Sequence, residues 1–286
     1  MATNGQPASG KPAQAKAAAS APEGGREIKI LFLHGYTQNG SSFNSKTKAL
    51  TKQFKKVIPT PIKLVFADAP HKLRPSQIPG FTPAPDAEPT DEEIDTSLAW
   101  FRMDGATKLY RGFEAGMDSI AAAIASAGGV DGVVGFSQGA AVAAFVAAAL
   151  EQPSRTPPAD APSVSAEGEK ADWGWVERLR AANGHRALGF AVSYSGFFAP
   201  MASLAWLYEP KIHTPTLHFC GSLDTIVEEA RSQGLADRCV DPTIVIHPGG
   251  HYIPISKDWN RAFVSWVAER CKEIDAAAAA ESKESL

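Results

Sequence analysis

From Ile28 to Ile274 the chain alternates short apolar runs with longer stretches of helical periodicity. That alternation constrains the fold more tightly than any other feature. The apolar runs are Ile28–Leu33 (IKILFL), Ile62–Phe66, Val130–Phe136, Ala187–Ser193, Thr216–Cys220 and Thr243–Ile246. Each is short enough for a buried strand and is closed by turn residues. Between them lie Ser42–Val57, with Phe43, Leu50, Phe54 and Val57 at helical spacing, and then Lys108–Ala127 and Gln138–Leu150. A short helix near Ile226–Arg238 and a last one at Trp259–Ile274 complete the series. Strands that alternate with helices pair in parallel and need cover on both faces, so the fold class is α/β with a mostly parallel central sheet.

Two stretches interrupt the pattern. Asp68–Thr96 holds six prolines between Pro70 and Pro89, too many for a regular element. Glu151–Arg186 is polar, with a short helix expected around Trp173–Ala182. It reads as a surface insertion within one domain spanning residues 27–275. Residues 1–26 are rich in Ala, Gly, Pro, Ser and Gln and are expected to be a disordered tail, because they carry too little apolar surface to offset ordering entropy. Residues 276–286 read as a fraying helical tail.

Composition narrows the function classes. The net charge of −3 gives no broad basic surface for nucleic acid. Three scattered cysteines make neither a disulfide framework nor a Cys-rich zinc site and fit a reducing, cytoplasmic compartment. Residues 1–26 lack the apolar segment of a secretory signal. The most apolar run, Gly139–Leu150, falls short of the roughly 18 residues that span a bilayer.

Gly135-Phe136-Ser137-Gln138-Gly139 is the one G-x-S-x-G in the chain. On its own the pentapeptide is equally a glycine-rich turn. Its setting is more specific, because a strand run (GVVGF) precedes it and an Ala-rich helix (AAVAAFVAAAL) follows. Glycines at both flanks let strand and helix approach closely, and Ser137 stands at a helix N-terminus that favours negative charge. Ser137 is the candidate nucleophile.

A serine hydroxyl needs a base, and the base needs an orienting acid. In this architecture the chain order is Ser, Asp or Glu, His. Four of the seven histidines lie late enough: His213, His218, His247 and His251. His218 sits inside a strand run and His213 precedes that run on the wrong side. His251 lies in a loop past a strand end and is the expected base, with His247 second. Those two have the i, i+4 spacing of metal ligands, but Pro248-Gly249-Gly250 forbids the helix that would align them, so no metal is expected. Asp224 follows the strand Thr216–Cys220 directly and is the expected acid. An oxyanion hole needs two backbone N–H groups. Gln138 supplies one, and Tyr36, in the turn after Leu33-His34-Gly35, supplies the other; a plain helix cap using Asn39 and Ser41 is compatible with this.

The segments FLHGYTQNG, ADAPH (Ala67–His71), VVGFSQGAA, CGSLDTIV and HPGGHYIP together resemble the fungal family of serine hydrolases. That family includes thioesterases that release lovastatin-type products from polyketide synthases, and relatives of the ovarian-cancer-associated serine hydrolase. The resemblance spans about residues 27–275. It implies an α/β-hydrolase fold and carboxylesterase or thioesterase activity, with the catalytic roles on Ser137, Asp224 and His251. The insertion 151–186 departs from the compact members. The acyl-protein thioesterases share FLHG and GFSQG and are a more distant match.

The expected function is therefore cofactor-free hydrolysis of a small-molecule acyl ester or thioester through an acyl-enzyme, possible release chemistry in secondary metabolism included. A peptidase on the same fold and a catalytically silent binding protein are the alternatives. Leu73, Ile78 and Phe81 in the first interruption, and Trp173, Trp175, Val176 and Leu179 in the second, are apolar groups a surface loop does not need. They serve either packing or a wall for an acyl chain.

Overall fold

A computed structural model describes residues 1, 27–74, 77–78, 96–159 and 173–284. The tail expected to be disordered, Phe81 and residues 160–172 lie outside the described residues, Met1 apart.

Strand β1 (Ile28–Leu33) sends Ile30 and Phe32 to one core and Leu31 and Leu33 to the other, the period-two alternation of a strand covered on both faces. Helices α1 (Gly40–Thr51) and α2 (Phe54–Val57) lead to β2 (Ile62–Ala67). Two short antiparallel ribbons follow, β3 (His71–Lys72) with β4 (Leu98–Ala99), and β5 (Arg102–Met103) with β6 (Tyr110–Arg111). The alternation then resumes with α3 (Phe113–Ala127), β7 (Gly132–Phe136), α4 (Gln138–Leu150), α5 (Gly174–Ala182) and β8 (Phe190–Tyr194). It closes with β9 (Thr216–Gly221), α6 (Glu229–Ala236), β10 (Thr243–His247) and α7 (Lys257–Glu284).

The main sheet has the order β10-β9-β8-β7-β1-β2, with every neighbouring pair parallel. Leu33 of β1 lies level with Ala67 of β2 and Gly135 of β7. The strand order reverses between β1 and β7, and a crevice opens beyond the carboxyl ends of strands at such a point. This is an α/β-hydrolase fold. Phe43, Leu50, Phe54, Phe263 and Val267 of α1, α2 and α7 cover one face; α3, α4 and α5 cover the other. Every residue of α4 is buried, which is why its sequence is apolar all round rather than amphipathic. No described helix is long and apolar enough to cross a membrane.

Several boundaries differ from the sequence pattern, for local reasons. The expected helix Lys108–Ala127 begins only at Phe113. Asp104 instead builds a turn, accepting from the Ala106 and Thr107 amides at 3.0 and 2.8 Å, and Gly112 enters left-handed space at φ 68°. The expected helix Ser42–Val57 is two helices and starts at Gly40, where Asn39 and Ser42 form a reciprocal capping box. Helix α7 continues to Glu284, so residues 276–284 extend it.

The stretch 151–186 is not a surface appendage where it is described. Glu151 and Arg155 form a buried ion pair, and Glu151 Oε1 accepts from the His213 and Thr214 amides. Trp175, Val176 and Leu179 of α5 belong to the core on the α3–α4 side. Trp175 is fully buried, its ring edge-on to Phe113 at 5.6 Å and 6.4 Å from Trp206. The apolar groups of this stretch therefore pack the domain's flank. Trp175→Ala is expected to lower stability by about 3–5 kcal/mol in chemical denaturation. The dependence of kcat/KM on acyl chain length should stay as in wild type; a flattened profile would return Trp175 to the substrate pocket.

Candidate active site

Ser137 stands between β7 and α4 with φ 52° and ψ −117°, a conformation that non-glycine residues rarely adopt. The turn survives because the residues two positions to either side, Gly135 and Gly139, carry no side chain. A Cβ on Gly135 would run into the Gly139 carbonyl, and one on Gly139 would run into the Leu33 carbonyl at the end of β1. The Ser137 amide donates to the Tyr194 carbonyl of β8 at 2.8 Å, which ties the bend to the sheet. Its side chain is left facing the crevice.

His251 arrives from the loop after β10. Its Nε2 lies 2.9 Å from Ser137 Oγ and its Nδ1 lies 2.8 Å from Asp224 Oδ2. Asp224 Oδ1 accepts from the Ile226 and Val227 amides at 3.0 and 2.9 Å. Burial pushes the Asp224 carboxyl up, but the Val227 amide, His251 and the Ile226 amide together outweigh it and hold its pKa below the usual carboxylate range. A charged Asp224 fixes the proton of neutral His251 on Nδ1, leaving Nε2 free to accept from the serine. Gly221, at the end of β9, matters here, because a Cβ on it would meet the Gly249 and Gly250 carbonyls of the His247–His251 loop at 2.5 and 2.6 Å.

The other histidines stay apart from this chain of contacts. His247 is 1% exposed, its ring beside Tyr252 and Trp259, and neither ring nitrogen has a partner among the described residues. Burial lowers its pKa. His218 is buried inside β9, and burial depresses its pKa to about 4. His213 precedes β9 and gives its amide to Glu151. Among the described residues no three His, Cys, Asp or Glu side chains converge as metal ligands.

The turn after β1 faces Ser137 across the crevice. Gly35 packs on Phe136 so closely that a Cβ there would lie 2.8 Å from the ring. No described group accepts from the Tyr36 amide, and Gln138, as the first residue of α4, has no intrahelical acceptor for its own amide. The sequence pattern missed what holds these amides in place. His34 is fully buried, its Nδ1–H donating to the Gly35 carbonyl at 2.8 Å while Nε2 accepts from the Ala69 amide at 3.1 Å. Burial lowers its pKa, which keeps the ring in the neutral form both contacts need. The Trp100 indole donates to the His34 carbonyl at 2.8 Å. Gln138 accepts from the Trp100 amide and donates to the Phe101 carbonyl through its side-chain amide. A His-Gly pair directly after an apolar strand run and a Gln directly after the serine are the available signals, since polar side chains set among apolar runs are there to be hydrogen-bonded.

Ser137 and His251 open into a cleft of about 610 Å³. Ile78, Phe136, Ile226, Ile253 and Ile255 make its apolar wall, and Tyr36 and Tyr252 flank it. Ile78 is the one described residue of the Pro-rich stretch in the lining, whereas Leu73 is buried elsewhere; no described residue of 151–186 lines it.

Residues 24–263 match the family described as Serine hydrolase (FSH1). The chain belongs to the FSH1 serine hydrolase family. It is similar to Family of serine hydrolases 2 of Saccharomyces cerevisiae, 31% identical over 84% of this chain and 97% of that protein. Esterase OVCA2 of Xenopus tropicalis is 30% identical over 80% of this chain and 87% of its own length. Among solved structures, Zea mays acyl-protein thioesterase 2 superposes with a TM-score of 0.50 at 21% identity, covering 88% of this chain and 96% of that one. At that identity the likeness carries the fold alone. Membership makes the chain a serine hydrolase, of the family the sequence motifs resemble.

Proposed function

We propose that this FSH1-family member hydrolyses carboxylic esters or thioesters of small molecules in the cytosol through a Ser137–His251–Asp224 triad. Ser137 Oγ attacks the acyl carbonyl as His251 Nε2 takes the serine proton. The Tyr36 and Gln138 amides hold the oxyanion of the tetrahedral intermediate. His251 then gives its proton to the departing alcohol or thiol, and an acyl-Ser137 ester remains. Water attacks that ester with His251 again as base, releasing the acid and restoring the serine. Asp224 keeps the imidazole in the required tautomer throughout.

The observation that carries this reading is the unbroken chain from Ser137 Oγ through His251 to Asp224, at 2.9 and 2.8 Å, on a serine in strained backbone geometry. Relatives named as esterases support ester substrates. The apolar cleft wall suits an acyl chain, where each buried methylene contributes about 0.8 kcal/mol. Labelling with a fluorophosphonate probe tests the mechanism. The serine oxygen should displace fluoride from phosphorus, and peptide mass spectrometry should find the adduct on Ser137 in wild type and none in His251→Ala. Absence of labelling, or labelling of another serine, would overturn the assignment.

A further inference from the structure

The cleft carries an electrostatic asymmetry that ester hydrolysis alone does not require. Apart from the reacting side chains, its described lining has one formally charged residue, Lys46 on α1. Lys46 is exposed and has no ion pair among the described residues. Its surroundings on α1 and α2 are of one sign, since Gly40–Val57 holds five lysines and no carboxylate. Burial raises the pKa of the Tyr36 phenol in the lining and the Arg102 guanidinium partly offsets this, while Arg102 Nε is buried without a partner among the described residues. Among the described residues, Asp224 is engaged with His251 and two amides, and Asp68 Oδ1 with the Gly40 amide. A lysine spent on solubility alone needs no position in a cleft shared with Ile78, Ile226, Ile253 and Ile255.

Resting on the ester or thioester reading above, we propose that the cleft selects substrates bearing an anionic group remote from the scissile carbonyl, with Lys46 as the residue that reads it. The apolar wall takes the hydrocarbon portion and the ammonium at the rim takes a carboxylate or phosphate. That anion sits either on the acyl chain or on the leaving group, and the chemistry recognised is the same. Lys46 is a specificity-determining residue and takes no part in bond making. A rim charge in a solvated cleft alters selectivity by about two- to fivefold, and salt weakens it because the pair is screened.

The test compares two matched substrate pairs on wild type, Lys46→Gln and Lys46→Glu at low salt. In the acyl arm, the p-nitrophenyl ester of octanoate is set against the mono-p-nitrophenyl ester of octanedioate. In the leaving-group arm, the octanoate ester of methyl 4-hydroxybenzoate is set against that of 4-hydroxybenzoate itself. The quantity read is the anionic-to-neutral ratio of kcat/KM, which cancels intrinsic reactivity when compared between variants. In at least one arm Lys46→Gln should lower that ratio about two- to fivefold and Lys46→Glu further, with the neutral substrate within twofold of wild type. The responding arm assigns the end of the substrate that carries the anion. Ratios unmoved in both arms by Lys46→Glu would overturn the proposal. Failure of the hydrolase reading looks different, because wild type would then turn over none of the four esters, or Ser137→Ala would turn over the neutral ones as fast as wild type.

Discussion

Replacing Ser137 by alanine is expected to lower kcat on a small activated ester by about 10⁶, the loss seen when the nucleophile of a triad is removed. The size follows from the geometry. Without Oγ, the proton acceptor 2.9 Å away at His251 Nε2 has nothing to deprotonate except water, and no acyl-enzyme forms. Stability should hold or rise slightly, since the hydroxyl's partner is His251 and the strained φ of 52° belongs to the backbone and remains. His251→Ala should fall to a similar level, and the double variant hardly further, because the two residues act as one unit. Steady-state rates on purified variants, with circular dichroism to check folding, decide the matter. A Ser137→Ala protein that keeps a tenth of wild-type activity would remove Ser137 from the chemistry.

Asp224→Asn should lower kcat by about 10⁴ with the fold unchanged. The amides of Ile226 and Val227 both donate to Oδ1, so the asparagine carbonyl oxygen must stay on them. Its NH2 group is then forced toward His251 Nδ1, where a charged carboxylate oxygen sat at 2.8 Å. An N–H donor there requires Nδ1 to be unprotonated, which moves the imidazole proton to Nε2. In that tautomer Nε2 cannot take the serine proton. The substitution thus leaves every heavy atom in place and reverses one hydrogen bond. A loss smaller than tenfold would mean that Asp224 only packs the loop.

Much of this architecture is legible in the chain alone. Apolar runs such as Ile28–Leu33 and Thr216–Cys220 declare buried strands because the side-chain period and the closing turn are local properties. Helix α4 runs from Gln138 to Leu150, the span its composition marks out. Ser137, Asp224 and His251 are legible as candidates for a related reason, since each directly follows a strand run in the order an α/β-hydrolase uses. The turn at Asp104 and the left-handed Gly112 are less visible. There a single hydrogen-bonded aspartate outweighs helical periodicity in the residues around it.

Other features depend on which surfaces meet. Nothing in β1 or β7 says that they lie side by side, yet that adjacency reverses the strand order and brings the Tyr36 turn opposite Ser137. Trp175 reads equally as a lid or as core until α5 docks against α3 and Phe113 closes over its ring. His34, Trp100 and Gln138 form their network from three separate strand ends, and Lys46 and Ile255 share a cleft although α1 and the loop after β10 are distant in sequence. The sequence by itself determined the alternating elements, the strained serine turn and the order of the candidate site residues, because periodicity, glycine sterics and turn chemistry act over a few residues. Only the tertiary structure decided the neighbours of each strand, the walls and charge of the cleft, and the network beneath the Tyr36 turn, because burial is shared among segments that meet only when the sheet is assembled.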